Sequence, residues 1–262
     1  MVKKLVLKDQ IYNFSSEKEC KEVQYRYQKF LGEKVKGFPS TKIIIKKLRN
    51  YDKRFEIEIS GPEEVFVFNF LKKEIGSIIN FDDIQEGTLC RGTLVDVGKV
   101  GFGIFVDCAI KNPDADVLLT LHSLRKQLCS GKKKSLSEII NVYDFIDKFP
   151  VWVKIETFSK EEKKVSGVLA DDTLNLYQKC LREDIEGVFI SGNSKVQIKK
   201  ALIKTKHLRD IMSIERFGFL ENIILLRKGT QSPGIISDIG NLLKKSKFSA
   251  IRPERIKTLC YD

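Results

Sequence analysis

The stretch GTLVDVGKVGFGIFVDCAI, residues 92 to 110, constrains this chain more than any other. Valine, isoleucine and phenylalanine alternate with small or charged residues on both sides of GKVGFG, a pattern that reads as two strands joined by a turn. Gly92, Gly98, Gly101 and Gly103 supply the backbone freedom that long, coiled strands need in order to bend. The three-residue spacing of Phe102 and Phe105 places them on opposite faces of a regular strand. Phe102, flanked by glycines, is expected outside with its ring open to a ligand, and Phe105 is expected in the core.

The same character continues downstream. Strand patterns at 88–97, 102–108, 115–121, 151–158 and 163–169 put five short strands into about 85 residues, which suggests a small barrel. Between the third and fourth lie helical pieces around the lysine run of SGKKKS. A five-stranded barrel entered by bent, glycine-rich strands fits the OB type, whose middle strands present aromatics for base stacking.

The flanking segments read differently. Residues 1–82 order as strand, helix, two strands, helix: KKLVLKD, a helix from Glu17 with Ser15 or Ser16 as cap, TKIIIKKL, KRFEIEIS, and a helix with Pro62 in its first turn and Gly76 at its end. This is an α+β domain with most of a ferredoxin-like order. A linker helix (LADDTLNLYQKCLRED, from residue 169) leads to strand EGVFISG, helix NSKVQIKKALIKTKHLRDI, hairpin strands MSIERFGF and LENIILLRKG, a helix with Ser232 as N-cap and Pro233 in its first turn, and a closing strand FSAIRPERI. That is βαββαβ, a ferredoxin-like domain. The expected fold is α+β in three domains, 1–82, 83–172 and 173–262.

Charge narrows the function. Lys and Arg total 47 against 35 acids, a net charge of +12, and this imbalance favours polyanions, nucleic acid first. No apolar run reaches the ~18 residues of a membrane span, and MVKKLVLKDQ lacks the hydrophobic region of a signal peptide, so a cytoplasmic protein is expected. The six cysteines (Cys20, Cys90, Cys108, Cys129, Cys180, Cys260) form no CxxC pair, and only two histidines are present, so no zinc site is expected. Cys90 and Cys108 read as buried thiols. GKVGFG is followed by a strand where a phosphate-binding loop needs Lys-Ser/Thr and a helix, which argues against nucleotide binding. Asp114 and Asp116, and the Asp pairs at 82–83 and 171–172, lack the convergent partners of two-metal chemistry and read as solvated turns.

The segments GTLVDVGKVGFGIFVDCAI, DVLLTLHSLRKQL and VWVKIETFSKEEKKVSGVL resemble the small RNA-binding OB domain repeated in the largest protein of the bacterial small ribosomal subunit. Phe102, Phe105, His122 and Lys164 fall where that family carries its RNA-contacting aromatics, histidine and basic residue. The turn before Phe102 is about two residues longer than in the family, and Leu124 to Phe149 exceeds the minimal domain. Across nearly the whole chain, with LHSLRKQL and GFLENIILLRKGTQSPGIISDIGNLL, the sequence resembles an archaeal family classed as a domain of unknown function. These resemblances imply an RNA-binding protein of the information-processing machinery and supply no enzymatic activity; from the residues, no catalytic set, metal or cofactor is expected. The ribosome is the expected partner.

The candidate RNA-binding residues are therefore Phe102, Phe105, His122, Arg125, Lys126, Lys132, Lys133, Lys134, Lys164 and Lys228. Lys228 enters because the helix start after KGTQSPG offers N–H groups and a positive dipole end; the competing reading is a helix satisfied by Ser232. His122 is either a stacking residue or a polar residue at the barrel rim. His207 reads as solvated. RFGF, residues 216–219, lies at a hairpin turn and not on a central strand, so the third domain is expected to pack against a neighbouring domain or protein, with a homodimer as one form of this. The leading expectation is a non-catalytic factor docking on structured RNA, as a ribosome-associated translation or silencing factor. The competing one is a transcription or RNA-decay accessory factor that binds mainly protein through its barrel.

Overall fold

The computed structural model describes residues 2–261, and side chains up to residue 259, so the side chain of Cys260 lies outside the described residues. The chain forms two compact units, Met1–Ile78 and Ile79–Asp262.

In the first unit, strands β1 (Val2–Gln10), β2 (Lys42–Leu48) and β3 (Arg54–Ser60) form an antiparallel sheet of order β1-β3-β2. Helix α1 (Glu17–Lys34) follows β1, and α2 (Glu64–Glu74) follows β3. Of the two serines that can cap α1, Ser16 does so, accepting from the Glu19 N–H at 3.2 Å. Odd-numbered residues Leu5, Leu7, Phe55, Ile57 and Ile59 are buried with Tyr27, Phe30, Leu31, Val67 and Leu71 of the helices. Tyr27 stacks on Phe55 at 4.4 Å and donates its hydroxyl to buried Asp9 at 3.1 Å. Pro62 precedes α2, one residue upstream of its cap Glu63. Residues 76–78 bond along the free edge of β1, through Lys8 N–H to Gly76 O and Ile78 N–H to Val6 O.

The second unit begins with β4 (Ile79–Asn80). Then come β5 (Leu89–Val95), β6 (Gly103–Lys111), β7 (Ala115–Thr120), α3 (Leu121–Leu128), α4 (Leu136–Tyr143), β8 (Pro150–Ser159) and β9 (Lys164–Leu169). Strand β5 pairs with β6, β6 with β7, β7 with β9, β9 with β8 and β8 with β5, closing a five-stranded barrel. All these pairings are antiparallel except β7–β9. Alternation fills the interior with Cys90, Leu94, Ile104, Val106, Cys108, Val117, Leu119, Val153 and Val165. Both expected buried thiols, Cys90 and Cys108, are there. Three barrel glycines are sterically required: a side chain at Gly92 would strike Val106, one at Gly103 the Leu119 carbonyl, and one at Gly167 the Lys154 carbonyl.

After the barrel come α5 (Asp171–Glu183), β10 (Gly187–Ser191), α6 (Lys195–Lys204), β11 (Ile211–Arg216), β12 (Glu221–Leu226), α7 (Ser232–Gly240), β13 (Lys247–Ile251) and α8 (Pro253–Tyr261). The βαββαβ order appears as an antiparallel sheet β11-β12-β10-β13. One face of this sheet packs Val188, Ile190, Ile224 and Leu226 against Ile198 and Leu202 of α6 and Ile235 and Ile239 of α7. The opposite face carries Phe189, Ile223, Leu225 and Ile251 into the same core as the barrel and its helices. Phe149 lies 4.8 Å from Phe189, ring centre to ring centre, and Asp144 accepts the Ala250 N–H at 2.6 Å. The barrel and the C-terminal sheet thus share one core, where the sequence suggested a domain boundary at residue 172. Apolar spacing shows that an element has a face to bury, not which element covers it.

Other expectations change with the structure. FSAIRPERI is a strand only to Ile251; Pro253 then opens α8, as its missing N–H suits a first helical position. Gln231 is the cap residue of α7, and Ser232 is already helical. Its N–H bonds Glu186 Oε2 at 2.7 Å, while its hydroxyl is buried without a hydrogen-bond partner. Helix α6 ends at Lys204, so His207 sits in a separate short 3₁₀ turn.

Candidate functional site

A groove of about 830 Å³ runs over the outer surface of the barrel. Its apolar floor is Phe102, Phe105, Leu118 and Phe158, and hydroxyls of Thr157, Ser159 and Ser166 line one side. The register explains the convergence. Phe105 pairs with Leu118, Leu118 with Ser166 and Ser166 with Thr157, so these four form one outward row across β6, β7, β9 and β8. Two residues further along their strands, Asp116 of β7 and Lys164 of β9 also line the groove, and Ser159 pairs with Lys164. Thr157 and Ser166 close on each other at 2.6 Å.

Phe102 is 57% exposed, as expected from its glycine flanks. Phe105 departs from expectation. It is half-buried on the outer surface, and Ile104 and Val106 are the inward residues. The reason is that β6 begins at Gly103, so Phe102 belongs to the turn and strand alternation does not extend to it. The turn brings the Phe102 ring edge-on to Phe105, with centroids 6.2 Å apart at 90°. Both aromatics therefore serve the same surface.

The other candidates separate. Lys164 lines the groove and binds Glu162 at 2.7 Å, which holds the Glu162 carboxyl below its ordinary range. His122 and Lys126 are exposed on α3, whose first N–H, at Leu121, bonds the Phe102 carbonyl at 2.8 Å. Of the lysine run, Lys133 is exposed, and Lys132 and Lys134 are half-buried. Arg125 is used internally: its Nε–H donates to the Lys134 carbonyl at 2.5 Å, fixing that loop. Lys228 stands exposed in the turn before α7, among residues of the C-terminal sheet and outside the groove. There the Glu186 carboxylate takes the N–H at the helix start, the position an anion would need. His207 is not simply solvated: Nδ1 lies 2.8 Å from Asp210 and Nε2 2.7 Å from Asp238. Hydrogen bonding to Asp238 and Asp210 raises its pKa.

Sequence reasoning missed Phe158, Leu118, Thr157, Ser166 and Lys163, which only barrel closure brings beside Phe105. It also read Asp114 and Asp116 as turn residues, yet both line the groove with Asp96 and Glu162. The lining thus holds these four carboxylates against two ammonium groups, Lys163 and Lys164, in a chain of net charge +12. Several are matched: Lys99 to Asp96 at 2.7 Å, which raises the Lys99 pKa, and Lys111 to Asp114 at 2.8 Å.

Fold and site together define an α+β protein built around a five-stranded barrel with an exposed aromatic groove. Two family models match it, the DUF2110 central domain over residues 84–179 and the DUF2110 C-terminal domain over residues 186–251. The matches cover more than half of the chain, and the protein belongs to the DUF2110 family. The comparison with curated proteins gave no match.

Solved structures with similarity include an uncharacterized protein from Methanocaldococcus jannaschii, at 13% identity over 34% of this chain and 96% of that one, TM-score 0.24. A chain of the a/eIF2alpha–aDim2p–rRNA complex from Pyrococcus horikoshii OT3 shows 10% identity over 49% and 70%, TM-score 0.26. The intact alpha subunit of aIF2 from Pyrococcus abyssi shows 11% identity over 65% and 98%, TM-score 0.25. Scores this low do not define a shared fold.

Proposed function

We propose that this protein is a non-catalytic RNA-binding factor that docks on structured RNA, with the ribosome as its partner, and acts on translation or in silencing a ribosomal subunit. The observation that carries the reading is the exposed Phe102 ring set edge-on to Phe105, above a groove that also holds Phe158 and Lys164. An exposed aromatic pair on a β-surface costs solvation unless something covers it, and bases stack on such rings by roughly 1–3 kcal/mol each. The strand order β5-β6-β7-β9-β8, closing on β5 with β7 and β9 parallel, agrees with the OB type, whose second and third strands with the adjoining loops form the oligonucleotide face. The groove spans the corresponding strands, β6 and β7, which supports this reading. On the same reading, the C-terminal βαββαβ unit is a ferredoxin-like module serving as a support, because one face of its sheet is spent on the barrel core and the other on α6 and α7.

A second reading, an accessory factor of transcription or RNA decay that binds protein through the barrel, is favoured by one feature: the four carboxylates that rim the groove. Sedimentation of a native lysate separates the two. Migration with a ribosomal subunit, released by nuclease or high salt and lost in Phe102→Ala, supports the first. Migration with RNA polymerase or an RNA-degrading assembly, insensitive to nuclease, supports the second.

A further inference from the structure

We propose that the groove selects among the bases of single-stranded RNA segments, holding adenine and cytosine in preference to uracil. This rests on the RNA-binding reading above and adds the identity of the base. The starting point is an apparent conflict: an RNA-binding surface on a basic protein is lined by more carboxylates than ammonium groups. Carboxylates repel phosphates, so a groove made only to follow the backbone gains nothing from them. They are useful where a base edge offers hydrogen-bond donors.

The geometry separates the two tasks. Phe102, Phe105 and Leu118 form the apolar platform, and a base lying on it has its face covered. On β7 the residue two positions before Leu118, on the same outward face, is Asp116, ~6.6 Å along the strand. A base stacked on the platform therefore points one edge toward the Asp116 row. Asp114 stands two residues further out. A carboxylate is an acceptor only, with about four lone-pair sites, so an existing partner does not exhaust its capacity.

The exocyclic amino groups of adenine and cytosine donate to such an acceptor, as carboxylates accept from cytosine N4 elsewhere. Uracil presents a carbonyl oxygen, O4, at the equivalent position, and two acceptors facing each other repel. Lys163 and Lys164, at the end of the β8–β9 turn and the start of β9, line the same groove and offer positive charge for the backbone. The Thr157–Ser166 hydroxyl pair is turned inward on itself and adds little discrimination.

The test is fluorescence titration of the full-length protein with labelled eight-nucleotide oligo(A), oligo(C) and oligo(U), and with a labelled octalysine peptide. The proteins are wild type, Asp116→Asn, Asp114→Asn and Phe102→Ala, each checked by thermal melt. The expected result is about five- to tenfold tighter binding of oligo(A) and oligo(C) than of oligo(U). Asp116→Asn should narrow that ratio chiefly by raising oligo(U) affinity, because the amide N–H donates to O4 while its Oδ1 still accepts from the amino groups of adenine and cytosine. Asp114→Asn should reduce the ratio less. Equal affinity for all three oligonucleotides, with Phe102→Ala weakening each, overturns the base selectivity and leaves the RNA-binding reading standing. Oligonucleotide binding that Phe102→Ala leaves unchanged overturns both. Binding of octalysine alone, lost in Asp116→Asn, also overturns both and assigns the groove to a basic protein segment.

Discussion

Two aromatic β-surfaces in the second unit invite comparison, the outer face of the barrel and the barrel-side face of the C-terminal sheet. Each gathers rings around a central strand: Phe102, Phe105 and Phe158 on the first, Phe189 with Phe149 and Tyr177 on the second. Sheets of βαββαβ order carry nucleic-acid-binding aromatics on their open face in RNA-recognition domains. Here both faces of that sheet are occupied, and Phe189 and Phe149 are fully buried. On the barrel, Phe102 remains open although its neighbours are packed. The difference teaches that aromatic content does not mark a binding surface. What marks it is aromatic area left uncovered once every element has found its partner.

The largest effect that would break this comparison concerns the buried face. Phe189→Ala should cost roughly 3–5 kcal/mol of stability, since it leaves a cavity where the sheet meets the barrel. A melt showing a small shift would mean that the two halves do not depend on their shared core. By the same argument, residues 84–170 alone should not fold cooperatively, because Tyr143, Phe145 and Phe149 would lose Tyr177 and Phe189. A sharp melt of that fragment by circular dichroism would contradict this.

On the exposed face the expected signs reverse. Phe102→Ala should weaken RNA binding by about 1–3 kcal/mol and leave the melting temperature nearly unchanged. Phe105→Ala should weaken binding in the same direction, with a modest loss of stability well short of a core truncation. A Phe105→Ala variant that unfolds readily while binding normally would return that ring to the interior and separate it from Phe102. Smaller again, Lys164→Gln should reduce the slope of log K against log salt by about one, the signature of a single lost phosphate contact. An unchanged slope would remove Lys164 from the backbone path.

The smallest effect lies away from both surfaces. His207 is clasped by Asp210 and Asp238, and its pKa is raised by those hydrogen bonds. A raised folded pKa means that the charged form is favoured in the native state. Its contribution is therefore complete below the unfolded value near 6.5 and fades as pH rises through the higher folded value. Melting temperatures of wild type and Asp238→Asn should converge as pH is raised through that window. A constant difference would show that the clasp acts without titrating.

Much of this was legible in local pattern. The strands of the barrel, a serine cap at 15 or 16, the βαββαβ order and the exposure of Phe102 all follow from alternation, spacing or flanking residues, which act over a few positions. The site was legible in part. Phe102, Phe105 and Lys164 were found, but Phe105 was assigned inward because alternation was counted from a residue that belongs to the turn. Phe158 sits in a strand more than fifty residues from Phe105 and carries no local mark. Arg125 looked available for RNA because sequence does not show the Lys134 carbonyl that takes its N–H.

What the sequence determined by itself was most of the order of elements and the buried face of many of them, since periodicity of 2 or 3.6 residues is written directly in the order of side chains. It also determined the +12 charge, on which the proposal of a polyanionic partner rests. Only the tertiary structure decided which faces cover one another and which charges meet. It joined the barrel to the C-terminal sheet through Phe149 and Phe189, and it brought Asp116 and Lys164 into the lining of one groove. Those outcomes depend on contacts between residues distant in the chain, where the energy of burial is shared among several possible partners and is resolved only when all of them pack at once.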